Sequence, residues 1–345
     1  MREAIAMEAG GTGGMFRVIM ISARPRRFLS VLLALALLPA APIVASDTAT
    51  TEAISVNYVL VPFVPLDRHG KPLQGLRDRD VKLLVDGKQV RTDLFESAAD
   101  SPVSFTILLD GSGSMGLAGK LEGARAALQT LFRNQRPGDD YALYVAAAGQ
   151  VTELVPFTSS GQRILRGFDA VKPWGKTAVF DAIIRMPDKS ILGKNGSRAI
   201  ILLTDGLDNA SAIDRNTLLS TLQAVDVPVY PLGLVQPESL SPAAGAPLES
   251  RLDVAVLADL ARMSGGRMVI TAKTDELQKA VQIVLGDLRA QYLVGFAPSA
   301  TGTVKFRRID LQIAGPVESV RVRSGYRGTD PPLLARKGNP RASTK

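Results

Sequence analysis

The stretch "FTILLDGSGSMGLAGK", residues 105–120, decides the fold, because it joins an apolar run to a loop of glycine and serine and then to a helix-like segment. The apolar run predicts a buried strand that ends at Asp110. Asp110, Ser112 and Ser114 place three oxygen-bearing side chains at alternate positions of the loop. Hard divalent cations prefer such oxygen ligands. The loop therefore predicts a cation site at the end of a strand.

The glycines of the same loop, Gly111, Gly113 and Gly116, favour a competing interpretation, since G-x-G-x-x-G after a strand is typical of dinucleotide binding. Such a fold needs an acidic residue about 20 residues onward, at the end of the second strand, to hold the ribose. The second apolar run, residues 141–148, is followed by no acidic residue. A phosphate-binding loop is excluded as well, because Leu121 stands where serine or threonine is required. The cation site is the favoured interpretation.

Apolar runs suited to buried strands alternate with stretches of helical spacing from residue 103 to residue 288. The strand-like runs cover residues 103–110, 141–148, 199–205, 227–234 and 267–272. This alternation predicts an α/β fold with a doubly wound, mostly parallel sheet. Ligands of such sheets bind beyond the carboxyl ends of the strands, where the loop after Asp110 lies.

Two further oxygen ligands are expected at the same edge of the sheet. Thr177 begins a predicted helix in "KTAVFDAI", and Asp205 ends the strand in "LLTDGLDN". Because the carboxyl ends of parallel strands share one edge, these side chains can converge on the loop after Asp110. Asp208, close behind, is expected to cap a turn with Asn209 rather than to bind the ion.

The segments that flank the alternating region predict antiparallel strands with one exposed face. Asp86-Gly87 lies between apolar runs and is a hairpin signal. Apolar residues alternate with polar ones over 309–313 and 320–322. Each flank offers about three strands, which is few for an independent core. We therefore expect residues 47–102 and 289–330 to pair into one small antiparallel β-domain, with the α/β domain inserted between them.

The motif residues together resemble a von Willebrand factor type A (VWA) domain, of the kind found in secreted bacterial proteins. Five residues match, in order, the metal-ion-dependent adhesion site of that family: Asp110, Ser112, Ser114, Thr177 and Asp205. The resemblance covers residues 103–288. One departure is Gly111, where the family often has a bulkier residue, and this glycine is expected to loosen the loop without removing a ligand.

The resemblance implies a binding module rather than an enzyme. Ser112, Ser114 and Thr177 would contact the metal through hydroxyls or a water, while Asp110 and Asp205 would act mainly through ordered waters and hydrogen bonds. The implied ion is Mg²⁺, with Mn²⁺ or Ca²⁺ as alternatives. An open coordination position would then accept an Asp or Glu carboxylate of a partner protein.

Two alternatives stay open beside this hypothesis. In the first, the metal site is structural or vestigial and serves the assembly of an envelope complex. In the second, the ion activates water in a metal-assisted hydrolase. The chain has one histidine, His69, and no cysteine, so general bases and nucleophiles for such an enzyme are few. A dinucleotide enzyme ranks below both.

The net charge of +8 at pH 7 comes from the two ends of the chain. Residues 1–46 carry five arginines and two glutamates, and residues 331–345 carry four basic residues, which leaves about +1 for residues 47–330. The basic charge therefore does not indicate a nucleic-acid-binding face. No repeat or tail motif indicates a particular oligomeric state.

The N-terminal segment predicts export. Three arginines precede the apolar run at 28–38, and small residues follow up to Ser46, where cleavage is expected. The run is short for a membrane span, so none is expected after cleavage, although an uncleaved anchor is the alternative. The protein would be periplasmic, on the cell surface or secreted. The predicted organisation is a signal peptide (1–46), an N-terminal β segment (47–102), a VWA domain (103–288), a C-terminal β segment (289–330) and a basic disordered tail (331–345).

Overall fold

The structure, a computed structural model, describes residues 58–205, 208–222, 225–235, 248–299 and 302–333. These residues belong to one compact unit, Ile54–Lys345. The predicted signal peptide and most of the predicted tail lie outside the described residues. Among the described helices, none combines the length and apolar character needed to cross a membrane.

The described strands and helices follow the alternation that the sequence predicts. The strands are β1 (Val59–Leu66), β2 (Val81–Val85), β3 (Lys88–Gln89), β4 (Leu94–Ser97), β5 (Val103–Asp110), β6 (Asp140–Ala147), β7 (Gln150–Thr158), β8 (Ser197–Thr204), β9 (Val229–Leu234), β10 (Val269–Thr271), β11 (Tyr292–Phe296), β12 (Lys305–Ile313), β13 (Ser319–Val322) and β14 (Gly325–Gly328). The helices are α1 (Lys120–Arg133), α2 (Gly161–Asp169), α3 (Val179–Ile183), α4 (Met186–Ser190), α5 (Arg215–Leu222), α6 (Leu248–Ser264) and α7 (Leu277–Arg289).

The central sheet has six strands in the order β10-β9-β8-β5-β6-β7, and only β7 runs antiparallel to its neighbour. Every residue of β5 is buried, as expected for the middle of a sheet covered on both faces. Helices α1, α2 and α7 pack on one face, and α3 to α6 pack on the other. The predicted doubly wound, mostly parallel sheet is confirmed.

The edge strand β7 is absent from the sequence prediction. Its nine residues include four polar ones, and all but one of the nine are partly or fully exposed, so they do not form an apolar run. The turn that connects β6 to β7 has positive φ angles at Ala148 (48°) and Gly149 (75°), the conformation of a tight hairpin. Gly149 was therefore the sequence feature from which the β6–β7 hairpin, and with it this strand, could have been predicted.

The two flanking segments pair with each other in two antiparallel sheets of four strands. One sheet has the order β13-β1-β11-β4, and the other has the order β14-β12-β2-β3. Each sheet takes two strands from the N-terminal flank and two from the C-terminal flank, so neither flank forms a sheet of this size alone. Both sheets contribute to one apolar cluster, which includes Phe63, Leu83, Phe296 and Leu311. This small β-domain, with the α/β domain inserted into it, confirms the predicted fold class.

The hairpin predicted at Asp86-Gly87 connects β2 to β3, with φ angles of 50° and 74°. The C-terminal strand region extends beyond the predicted boundary at residue 330. The N–H of Arg91 donates to the carbonyl of Pro332 at 2.8 Å, and Leu333 forms a bridge with Val90. Pro332 and Leu333, which the predicted boundary assigns to the disordered tail, are thus attached to the β-domain by backbone pairing.

Candidate metal centre

The centre lies at the carboxyl ends of β5 and β8, which are adjacent and parallel in the middle of the sheet. Leu109 pairs with Leu203 in the register, so Asp110 and Thr204 come side by side at the ends of their strands. The hydroxyl of Thr204 donates to Asp110 Oδ2 at 2.8 Å. The parallel register of these two strands therefore brings the loops after Asp110 and Thr204 together.

Asp110 is fully buried at this edge. Its Oδ1 accepts a hydrogen bond from the backbone N–H of Ser112 at 2.9 Å. Burial raises the pKa of the Asp110 carboxyl from 3.8 to about 6, although hydrogen bonds from Ser112 and Thr204 oppose the shift, and the nearby Asp205 raises it further. Asp110 thus carries a buried charge that its neighbours compensate incompletely.

The two serine hydroxyls point toward each other, with an Oγ–Oγ distance of 3.1 Å between Ser112 and Ser114. A short 3₁₀ turn, Gly113–Gly116, follows Ser112 and contains Ser114. The N–H of Gly113 donates to the carbonyl of Gly175 at 3.1 Å, which connects this turn to the loop before Thr177. The structure therefore brings Asp110, Ser112 and Ser114 together within one short loop.

Gly111 holds this loop firmly rather than loosening it. Its N–H donates to the carbonyl of Ala146 at 2.7 Å, and its carbonyl accepts from the N–H of Trp174 at 3.0 Å. A Cβ atom at this position would lie 2.6 Å from Cγ2 of Val145. The expectation of a loosened loop is wrong, because the absence of a side chain lets the loop pack directly against β6.

Thr177 is buried and approaches the centre from a third loop. Its N–H donates to Oδ1 of Asn209 at 3.0 Å, and its carbonyl accepts from the N–H of Asn209 at 3.0 Å. These two bonds join the loop of Thr177 to the chain that follows Asp205. Thr177 is thus placed at the same edge of the sheet through its backbone.

Asp205 is buried, and its two carboxylate oxygens differ in their hydrogen-bond partners. Its Oδ2 accepts a hydrogen bond from Nζ of Lys120 at 2.9 Å. Its Oδ1 is buried and has no hydrogen-bond partner among the described residues. A buried carboxylate oxygen without a partner is costly, so this atom marks a position where a positive charge or a water would be stabilised.

Lys120 also belongs to this centre, although the sequence did not predict its contact with Asp205. It is the first residue of α1, and its side chain is about one quarter exposed, at 23%. The sequence signal was its place ten residues after Asp110, at the start of the helix that follows the loop. Asp205 therefore has one ammonium partner, whereas Asp110 forms no salt bridge with any residue that the structure describes.

Asp208 accepts hydrogen bonds from α3 and from Ser211 in its own turn, rather than forming the turn with Asn209 that the sequence predicts. Its Oδ2 accepts from the N–H of Phe180 at 2.9 Å and from the hydroxyl of Ser211 at 2.7 Å. Its Oδ1 accepts from the N–H of Ser211 at 3.0 Å. Asp208 thus caps the start of α3 and closes its own turn.

The donor set fits a hard divalent cation. Asp110 and Asp205 supply two carboxylates of excess negative charge, and Ser112 and Ser114 supply paired neutral hydroxyls. Within the described ranges, no group of three or more acidic, histidine or cysteine side chains could hold a metal. An ion bound here would therefore rely on hydroxyls and waters for most of its shell, as Mg²⁺ does readily.

Residues 105–207 match the family model described as von Willebrand factor type A domain. No protein of curated function matches the chain. Among solved structures, the conserved hypothetical protein BatB from Bacteroides thetaiotaomicron aligns with 23% identity and a TM-score of 0.42, over 54% of this chain and 98% of that one.

Two other solved structures are similar over about half of this chain. A mutant of the PilB minor pilin from Streptococcus sanguinis aligns with 12% identity and a TM-score of 0.45, over 55% of this chain and 62% of the pilin. Proximal thread matrix protein 1 from the mussel byssus, with a zinc-occupied MIDAS motif, aligns with 17% identity and a TM-score of 0.44, over 58% of this chain and 48% of that protein. From the family match over residues 105–207 and the six-stranded sheet, this part of the chain is a von Willebrand factor type A domain.

Proposed function

We propose that this chain is an exported interaction module that binds a carboxylate of a partner protein through a divalent cation. The cation would lie at the carboxyl edge of the central sheet. The VWA domain supports this proposal, since the zinc-occupied motif of the mussel protein gives a precedent for metal in such a domain.

The hydroxyls of Ser112, Ser114 and Thr177 would face the ion, directly or through a water. Asp110 and Asp205 would balance its charge, mainly through ordered waters and hydrogen bonds. A bound ion would carry a positive charge that the neutral hydroxyl ligands compensate only in part. It would therefore attract the carboxylate of a partner. The ion we propose is Mg²⁺, with Mn²⁺ or Ca²⁺ as alternatives.

One observation carries the proposal, namely the buried Oδ1 of Asp205, which has no partner among the described residues. The other oxygen of this carboxylate pairs with Lys120, and the charge of Asp205 raises the pKa of the buried Asp110 further. An additional cation at this position would satisfy the oxygen and offset the excess charge. The geometry therefore favours an ion-binding function.

A binding function is favoured over catalysis because the acidic side chains that the structure describes at the centre are engaged, Asp205 through its salt bridge with Lys120. Asp208 accepts three hydrogen bonds from Phe180 and Ser211, and Asp110 accepts two. His69, the single histidine of the chain, lies exposed in a turn of the β-domain. The proposed export rests on the arginine-flanked apolar run at 28–38.

Calorimetric titration of Mg²⁺ and Mn²⁺ into the full chain tests the proposal. We expect saturable binding of one ion, which Asp110→Ala or Asp205→Ala abolishes. Asp169→Ala is the matched control, because Asp169 is an exposed aspartate that pairs with Arg125 at the end of α2. Binding that survives in Asp110→Ala and Asp205→Ala would contradict the proposal.

The salt bridge between Lys120 and Asp205 favours a second candidate function. In that case the ammonium group replaces the ion permanently, and the centre stabilises a VWA domain that serves assembly without metal. The same titration separates the two candidates. No heat of binding at millimolar ion, together with partner binding in the presence of a chelator, would favour this structural role.

A further inference from the structure

Two large apolar side chains are exposed beside the candidate metal centre, one on each of the loops that border it. Leu117 follows the 3₁₀ turn that contains Ser114, and Trp174 precedes Thr177 by three residues. Each of them is 64% exposed. An exposed apolar pair next to a polar site is typical of a protein-binding surface.

The two loops that carry these side chains are bonded to each other. The N–H of Trp174 donates to the carbonyl of Gly111 at 3.0 Å, and the carbonyl of Gly175 accepts from the N–H of Gly113 at 3.1 Å. Gly175 has a φ of 77°, and a Cβ atom there would lie 2.9 Å from Cβ of Ala148. These bonds and the close approach fix the loop backbones, so binding a partner would lose little conformational entropy.

Basic residues surround the exposed tryptophan. Lys172 and Lys176 are both exposed, on either side of Trp174, and neither forms a salt bridge with any residue that the structure describes. The stretches 113–119 and 171–176 contain no acidic residue. The surface therefore combines apolar contact area with a positive charge, which is complementary to an acidic partner.

We infer that Leu117, Trp174, Lys172 and Lys176 form a docking rim for an acidic protein segment. In this segment, a large apolar residue lies next to the aspartate or glutamate that reaches the metal centre. The apolar side chain packs between Leu117 and Trp174, and further acidic residues face the two lysines. This inference rests on the proposed function, since the metal centre anchors the carboxylate.

The chain itself provides the probe for this inference, because Trp174 is its single tryptophan. Tryptophan emission, excited selectively over the tyrosines, therefore reports on the rim alone. Three synthetic peptides are titrated into the full chain with saturating Mg²⁺, namely acetyl-Glu-Leu-Asp-Gly-amide, acetyl-Glu-Ser-Asp-Gly-amide and acetyl-Glu-Leu-Asn-Gly-amide. We expect the first to shift the emission to shorter wavelength and to bind about tenfold more tightly than either of the others.

Matched variants separate the rim from the rest of the surface. Leu117→Ser should abolish the tenfold preference for leucine over serine in the peptide. Leu192→Ser should retain it, because Leu192 is also 64% exposed but lies before β8, at the opposite edge of the sheet. Lys172→Glu with Lys176→Glu should weaken the acidic peptides several-fold at low salt, whereas Lys194→Glu, near Leu192, should not.

Equal binding of the leucine and serine peptides would overturn the inference, as would the absence of binding by every peptide. Binding of phosphatidylglycerol vesicles that persists in chelator and is lost in Leu117→Ser would overturn it in favour of a membrane surface. Calorimetric titration of Mg²⁺ into the same preparations separates this outcome from failure of the proposed function. If wild type and Leu117→Ser both bind Mg²⁺ but neither distinguishes the leucine peptide from the serine peptide, the rim is rejected and the metal centre is retained.

Discussion

Two clusters of buried charge in this molecule have opposite balances. At the candidate metal centre, two buried carboxylates, Asp110 and Asp205, interact with each other, and the ammonium of Lys120 pairs with Asp205. Where α7 meets the β-domain, one carboxylate, Asp287, forms salt bridges with two guanidinium groups, those of Arg267 and Arg321. Both clusters bury their acids almost completely. The difference is that the first cluster has excess negative charge and the second does not.

Burial raises the carboxyl pKa in both clusters, but the neighbours act differently. The pKa of Asp287 is raised because burial outweighs the opposing effect of Arg321 and Arg267. For Asp110, the neighbouring Asp205 adds to the effect of burial. The Asp287 cluster is therefore complete without a ligand, whereas the centre at Asp110 favours a further cation. We conclude that charge balance, rather than burial alone, distinguishes a structural cluster from a candidate site.

The largest expected effect is the loss in free energy of unfolding caused by Asp287→Ala. Removing Asp287 leaves two partly buried guanidinium groups without a counter-charge, so we expect a loss of about 3–5 kcal/mol. Asp205→Ala should cost much less in chelator, because Lys120 can turn toward solvent. Urea denaturation of both variants measures the difference. Equal losses would show that the two clusters have the same structural role, and the comparison would fail.

The second prediction concerns pH and the metal-free protein. The folded-state pKa of Asp110 is raised from 3.8 to about 6, so the folded protein binds more protons than the unfolded chain between these values. Stability should therefore fall as pH rises from about 4 to 6, by about 3 kcal/mol for this group alone, and then stay low. Asp110→Asn should remove this contribution.

Denaturation in chelator at several pH values tests this second prediction, with the difference between wild type and Asp110→Asn as the measured quantity. The difference should grow in favour of the variant as pH rises through the window from 4 to 6. A difference that is independent of pH would mean that Asp110 is not the under-compensated acid of the centre.

The third prediction concerns Lys120→Met, which removes the only ammonium that contacts Asp205 among the described residues. Because Lys120 and a divalent ion compete for the same carboxylate, we expect Mg²⁺ to bind about tenfold more tightly, or about 1.4 kcal/mol. The metal-free variant should be less stable than wild type, since the buried Asp205 carboxylate then loses its counter-charge. Calorimetry and thermal unfolding in chelator measure the two effects. Weaker Mg²⁺ binding would instead show that Lys120 helps to hold the ion.

Much of the fold was predictable because its signals are local. The fully buried β5 is a continuous apolar run, and the loop after it carries Asp110, Ser112 and Ser114 within five residues. The pairing of the flanks into one β-domain was also predicted, because neither flank has enough strands by itself. The edge strand β7 was missed because an exposed strand needs no apolar run.

The charge balance of the two clusters was not predictable from the sequence. The contact of Lys120 with Asp205 joins residues 85 positions apart, and its length depends on how α1 is oriented over the sheet edge. Asp287 lies on α7 of the α/β domain and Arg321 on β13 of the β-domain, so their contact depends on how the two domains pack together. Side-chain chemistry thus indicated the candidate ligands, whereas their counter-charges required the packed structure.

The smallest expected effect concerns a third acidic residue, Asp169, which is paired but exposed. Arg125 donates to both of its oxygens, at 2.7 and 3.1 Å, and this pairing lowers the pKa of Asp169. The side chains are 37% and 48% exposed, so water screens the pair. Asp169→Ala should therefore cost less than about 1 kcal/mol in urea denaturation. A loss as large as that of Asp287→Ala would show that pairing geometry, and not burial with charge balance, sets the cost of removing an acid in this protein.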